Sequence, residues 1–200
     1  QKAKELGMKN TIFTDCKGTG EGKQYSTAYD ISLLSKELIK YDFLTPYMTT
    51  YMDELRNGAT QLVNTNTLVR TYDGILGIKA GYSEKSGYSI SAAAKRGDSV
   101  FISIIIGCDE KEDCIKKGKN LLDKGFSSYE TIRPAVPKEL LNGVKVKSGT
   151  AKIVLAKPEF LSETTIPIGC SRDIEYKIIL PEYIEAPVFK DQKIGEISYY

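Results

Sequence analysis

The residues able to do chemistry in this chain are defined first by what is absent, because the sequence contains no histidine. A Ser-His-Asp triad, a Cys-His pair and any His-bound metal are therefore excluded. The four cysteines, Cys16, Cys108, Cys114 and Cys170, include no Cys-x-x-Cys spacing of the kind zinc or thioredoxin chemistry uses, so no metal site is expected. Cys108 and Cys114 flank an acidic stretch and could meet across a turn, although six residues along a helix would aim them at different faces. The plainer alternative is free or buried thiols. The run Gly18-Thr19-Gly20-Glu21-Gly22-Lys23 imitates a phosphate loop, but Gln24 follows where Ser or Thr is required and no strand precedes it; it reads as a flexible loop. Arg96-Gly97-Asp98 lies between two apolar runs and reads as a hairpin turn rather than an adhesion motif. Lys79 sits in Gly77-Ile78-Lys79-Ala80-Gly81-Tyr82. A lone lysine in a strand is ordinarily a solvated edge charge.

The elements that must hold these residues follow from periodicity. Residues 2 to 8 read as a helix closed near Gly7, and Ser26 or Thr27 caps a second helix whose Ile31, Leu34, Leu38 and Ile39 recur at helical spacing, with Asp30 in its positively polarised first turn. Pro46 allows another helix to begin, and Asn64-Thr65-Asn66 marks a polar loop. From Gly74 the period changes. Gly74 to Gly81, Gly87 to Lys95 and Ser99 to Gly107 read as an antiparallel meander, followed by a helix capped by Asp109 and ended by Gly125-Phe126. Beyond Arg133-Pro134-Ala135-Val136-Pro137, alternating runs such as 144–147, 151–155 and 176–180 predict a separate β domain. The expected organisation is α+β over residues 1–132 and all-β over 133–200.

With 41% hydrophobic residues the chain can bury an ordinary core, and 28 basic against 26 acidic residues leave no face built to neutralise phosphates, so nucleic acid is not an expected partner. The longest apolar run, Val100 to Gly107, is too short to span a bilayer. The opening segment Gln1 to Leu6 lacks the layout of a secretory signal.

Four stretches in fixed order, Lys2 to Met8, Tyr25-Ser26-Thr27-Ala28-Tyr29-Asp30, Asn64-Thr65-Asn66 and Gly77 to Tyr82, resemble the serine D-alanyl-D-alanine carboxypeptidases, the low-molecular-mass penicillin-binding proteins. The hairpin from Gly87 to Arg96, the helix ending Leu121 to Phe126 and the tail from Ala186 to Gly195 extend the resemblance over essentially the whole chain. It implies the rear part of a penicillin-binding, β-lactamase-like transpeptidase domain followed by a small all-β domain. It also implies an enzyme whose serine attacks the last bond of the peptidoglycan stem peptide, releases D-alanine and is regenerated by water, without a cofactor. β-Lactam antibiotics would be ligands, and the outer face of the cytoplasmic membrane the location.

The family's Ser-x-x-Lys and Ser-x-Asn motifs occur nowhere in this sequence, so the nucleophile is not in this chain, and Ser26, Ser83, Ser89 and Ser91 read as caps or strand hydroxyls. By resemblance, Lys79 is the catalytic residue, placing an ammonium near the nucleophile and the substrate carboxylate. Ala80, Gly81 and Tyr82 line the substrate, with the Tyr82 N–H in an oxyanion hole and Gly81 allowing close backbone approach. Ala80 departs from the usual threonine, whose hydroxyl helps hold the carboxylate. Alone, the chain is expected to be inactive and to associate with itself or with the missing N-terminal segment. The rival readings are a β-lactamase or transpeptidase of the same superfamily, against which the appended β domain speaks, and a non-catalytic wall-binding or assembly module that kept the fold.

Overall fold

The computed structural model describes residues 1–15, 24–159 and 163–200; Cys16 and the phosphate-loop mimic lie outside the described residues. The chain divides into two units, Gln1–Ser128 and Tyr129–Tyr200. Together they give the mixed helix-and-sheet architecture expected from the sequence.

In the first unit, α1 (Lys2–Glu5) closes on Gly7, whose φ of +75° is the left-handed conformation that glycine adopts without a Cβ penalty. Helix α2 (Ala28–Leu38) is capped by Thr27 rather than Ser26: the Thr27 hydroxyl accepts the Asp30 N–H at 3.1 Å. Helix α3 (Thr45–Thr49) carries Pro46 in its first turn, as expected. A hairpin not anticipated from the sequence follows, β1 (Met52–Leu55) pairing with β2 (Thr60–Val63) through a turn in which Arg56, Asn57 and Gly58 all have positive φ. Its strands are exposed almost throughout, so no alternation of apolar and polar residues announces them. After α4 (Leu68–Thr71) come β3 (Ile75–Ser83), β4 (Gly87–Arg96) and β5 (Ser99–Cys108), an antiparallel sheet in the order β3-β4-β5, and then α5 (Lys111–Ser128).

The register of this sheet assigns its two faces. Ala80 lies opposite Ile90 and Ile90 opposite Ile105, with Ala92 against Ser103 and Ala94 against Phe101; this face is covered by α5, whose Gly118 backs directly onto Ile90. Ile90, Ala92 and Ala94 join Leu68, Cys114 and Leu122 in one buried cluster. Full burial of a side chain such as Ile90 or Leu122 stabilises the fold by roughly 1.5–3 kcal/mol. Lys79 opposite Ser91 and Gly81 opposite Ser89 belong to the other face, where α2 docks through a buried 2.8 Å hydrogen bond between Ser35 and Ser91. Gly77, with φ of +110°, admits α3 there: a Cβ on it would stand 2.6 Å from the Met48 Cβ.

Two expectations about α5 change. Its first turn begins after Glu110, whose carbonyl accepts the Cys114 N–H, rather than at Asp109. The helix also runs through Gly125-Phe126 to Ser128, because the missing side chain at 125 lets Phe101 press against the helix while Phe126 meets Phe101 edge-on, ring centres 4.9 Å apart. The hairpin reading of Arg96-Gly97-Asp98 holds: Arg96 pairs with Ser99 across the turn, and Gly97 has φ of +58°. The Arg96 guanidinium stacks over Tyr72 and Phe126 at 4.9 and 4.5 Å.

In the second unit, β6 (Tyr129–Ile132) pairs with β9 (Thr164–Pro167), and β10 (Tyr176–Ile179) with β12 (Glu196–Tyr199). Strand β7 (Val144–Lys147) is flanked by β8 (Ile153–Val154), antiparallel, and β11 (Tyr183–Glu185), parallel. The run expected as a strand over 151–155 keeps only two strand residues. Apart from short 3-10 turns at Lys138–Asn142 and Cys170–Arg172, the regular structure of this unit is all strand among the described residues. No helix of the described residues is long and apolar enough to cross a membrane.

Candidate active-site wall

Strand β3 is an edge strand, and its central residues Lys79, Ala80, Gly81 and Tyr82 are distributed between the faces by the alternation of the pleat. Lys79 and Gly81 share the face that carries α2 and α3. Lys79 is exposed, and among the described residues no carboxylate lies within salt-bridge distance of its ammonium. Gly81 has open space where a Cβ would stand, so another backbone can lie against the strand there. Ala80 and Tyr82 point to the α5 face. Ala80 is only 7% exposed, whereas Tyr82 is 60% exposed with its ring centre 4.5 Å from that of Tyr88. A cavity of about 170 Å³ adjoins them, lined among others by Thr65, Ala80, Tyr82, Tyr88 and Cys114.

The polar loop at 64–66 has a structural task that its composition did not reveal. The Asn64 side-chain amide donates to the carbonyls of Met48 and Thr50 at 3.2 and 3.1 Å, tying the loop to the end of α3. The Asn66 side-chain oxygen accepts the Leu68 N–H at 3.1 Å and so opens α4. Between these two anchors the Thr65 hydroxyl donates to the Ala80 carbonyl at 2.7 Å. Backbone groups of residues i and i+2 point to the same side of a strand, so this bond fixes the register in which the Tyr82 N–H is presented. The missed signal was the pair of asparagines, each a side chain suited to local turns, bracketing a hydroxyl. Thr65→Val removes one neutral hydrogen bond of about 1 kcal/mol. In the complete protein it is expected to slow acylation by a penicillin roughly fivefold while shifting the melting temperature by a few degrees at most.

Asp30 and the cysteine pair also have partners that the local sequence does not announce. Asp30, 1% exposed, accepts the Asn10 N–H at 2.7 Å and the Thr11 hydroxyl at 2.6 Å, so it holds the segment before α2 rather than merely facing the helix terminus. Cys108 and Cys114 are free but adjacent, since Cys108 ends a strand and only Cys114 is helical. Burial, followed by interaction with its neighbour Cys108, pushes the Cys114 thiol up to about 12. The third described cysteine, Cys170, is free as well.

A family model described as D-alanyl-D-alanine carboxypeptidase, peptidase S11, matches residues 1–110. The chain belongs to this family. Among curated members of the carboxypeptidase family, DacF of Bacillus subtilis is 36% identical over 98% of this chain and 52% of its own length. DacA of Escherichia coli is 32% identical over 97% of this chain and 48% of its own length. The chain thus spans about half the length of these relatives. Penicillin-binding protein 5 from Haemophilus influenzae superposes with a TM-score of 0.80 at 25% identity, covering 100% of this chain and 58% of that structure. Penicillin-binding protein D2 from Listeria monocytogenes in its cefotaxime-bound form superposes with a TM-score of 0.58 at 31% identity, covering 62% and 52% respectively.

Proposed function

We propose that this chain supplies one wall of the active site of a serine D-alanyl-D-alanine carboxypeptidase, an enzyme that removes the terminal D-alanine from peptidoglycan stem peptides through an acyl-enzyme. The observation that carries the proposal is the edge strand β3, with an exposed Lys79 ammonium that has no carboxylate partner among the described residues and an unobstructed Gly81 on the same face. The serine comes from a segment bearing Ser-x-x-Lys, which this sequence lacks. The stem peptide lies along β3 as an added strand, close to Gly81. The Lys79 ammonium stabilises the terminal carboxylate of the substrate and the charge that develops near the attacking oxygen. The Tyr82 N–H, paired with that of the serine, donates a hydrogen bond to the oxyanion of the tetrahedral intermediate. β-Lactams, which also present a carboxylate and a carbonyl, occupy the same place. The work belongs outside the cytoplasm, at the outer face of the membrane, where the wall is built.

The test uses the complete protein, with this chain and the segment carrying the serine motifs. Release of D-alanine from a peptide ending in D-Ala-D-Ala, together with covalent labelling by a fluorescent penicillin, is the expected result. Neither activity, in a protein whose upstream sequence lacks Ser-x-x-Lys and Ser-x-Asn, would point to the wall-binding module instead. Ala80 tunes the site. A hydrogen bond from a hydroxyl to a charged carboxylate contributes about 1.5–3 kcal/mol, so Ala80→Thr is expected to raise the acylation rate roughly 10- to 100-fold. The cavity beside Ala80 leaves room for the two added atoms. An unchanged rate would show that a side chain on the α5 face does not reach the carboxylate and that the threonine hydroxyl is dispensable.

A further inference from the structure

We propose that Cys108 and Cys114 form a disulfide that ties the end of β5 to the first turn of α5, behind the Ala80 wall of the site. The two thiols are brought together by a specific irregularity of the sheet. Ile105 faces α5 from opposite Ile90, and strict alternation would turn Cys108, three residues later, to the other face. The register shift between Tyr88 and Ile90 inserts an extra residue into β5, so that Cys108 lies opposite Tyr88 and returns to the α5 side. There it meets Cys114. The two residues belong to the same packed core cluster, and both are buried, Cys108 at 6% and Cys114 at 2% exposure. The ring they would close is short, enclosing residues 109 to 113. Cys114 also lines the cavity next to Ala80, Tyr82 and Tyr88, so the bond fixes the back of the candidate site.

The oxidant is a disulfide, of a protein or of glutathione. One of the two sulfurs, as its thiolate, attacks the oxidant, forming a mixed disulfide and releasing one thiol. The other then gives up its proton and attacks the protein sulfur so joined, expelling the second thiol. Two protein thiols are oxidised and one oxidant disulfide is reduced to two thiols. An oxidising compartment follows from work outside the cytoplasm and so rests on the proposed function, whereas the chemistry below can be tested without it.

The full chain is equilibrated with oxidised glutathione, denatured, blocked with N-ethylmaleimide, digested after lysine and mapped by mass. The expected product joins the peptides containing Cys108 and Cys114, which Lys111 separates, and leaves both sulfurs unlabelled. The oxidised chain is expected to melt about 5 °C above the same chain kept in dithiothreitol. A Cys16→Ala, Cys170→Ala variant keeps this difference, and a Cys108→Ala, Cys114→Ala variant loses it. Maleimide on both Cys108 and Cys114 after equilibration, or either of them joined to Cys16 or Cys170, would overturn the proposal. So would equal melting temperatures in the two redox states. None of these results depends on acylation or D-alanine release, so failure here leaves the proposed function standing.

Discussion

Lys79→Met in the complete protein is expected to lower the rate of acylation by a penicillin about 100- to 1,000-fold, equivalent to roughly 2.7–4 kcal/mol of lost transition-state stabilisation. A positive charge aimed at a site of developing negative charge, with no carboxylate among the described residues to neutralise it beforehand, acts almost wholly on the bound state. Because Lys79 is exposed, the same substitution should change folding stability by less than about 0.5 kcal/mol, which thermal denaturation measures directly. A loss of activity accompanied by a large drop in melting temperature would assign Lys79 to the scaffold instead. Lys79→Arg keeps the charge but replaces a compact ammonium with a planar fork, and an intermediate rate is expected. If methionine and lysine were acylated equally fast, the proposed role of this strand would be lost.

The second large effect is on stability. Asp30→Ala removes the acceptor of two charge-assisted hydrogen bonds, from Asn10 N–H and the Thr11 hydroxyl, the latter also within 2.8 Å of the Ser26 hydroxyl. At about 1.5–3 kcal/mol for each bond to a charged group, partly recovered by water, the net cost is expected near 3 kcal/mol. For a chain of this size that lowers the melting temperature by roughly 6–12 °C. Both bonds end on the same carboxylate oxygen, so Asp30→Asn can retain their geometry with a neutral acceptor, and about 1 kcal/mol is expected. Equal losses for alanine and asparagine would show that charge, rather than the bonded oxygen, holds the segment.

The contrast between Lys79 and Asp30 shows what the sequence made legible. Strands β3, β4 and β5 could be read because alternation and bounding glycines report a half-buried sheet, and the resemblance carried by Gly77 to Tyr82 lay on the same residues. Asp30 looks in the sequence like an ordinary acid near a helix N-terminus; its partners Asn10 and Thr11 lie 20 and 19 residues upstream, a separation no local pattern reports. The β1–β2 hairpin went unread because residues exposed on both faces carry no periodic signal. Gly125 read as a terminator because glycine disfavours helices locally, whereas Phe101, far upstream, makes the close approach worthwhile. Pairing of β7 with β11 joins segments far apart in the chain and is decided by contacts, not by either run alone. For the candidate site, the sequence pointed to Lys79 and its neighbours but carried no sign of the Thr65 bond to the Ala80 carbonyl that holds the strand.

The position of β3 at the rim of its sheet bears on solubility. An unpaired strand edge is a template on which any other extended chain, including another copy of this one, can continue the sheet, and the adjoining Ile75, Ile78 and Tyr82 would reward such growth. Lysine on an edge strand is a common guard against it, since stacking identical strands would bring like charges together in every layer. The ammonium assigned here to recognising a carboxylate therefore also discriminates among visitors to that edge: a short peptide ending in a negative charge is welcomed, and a second β3 is repelled.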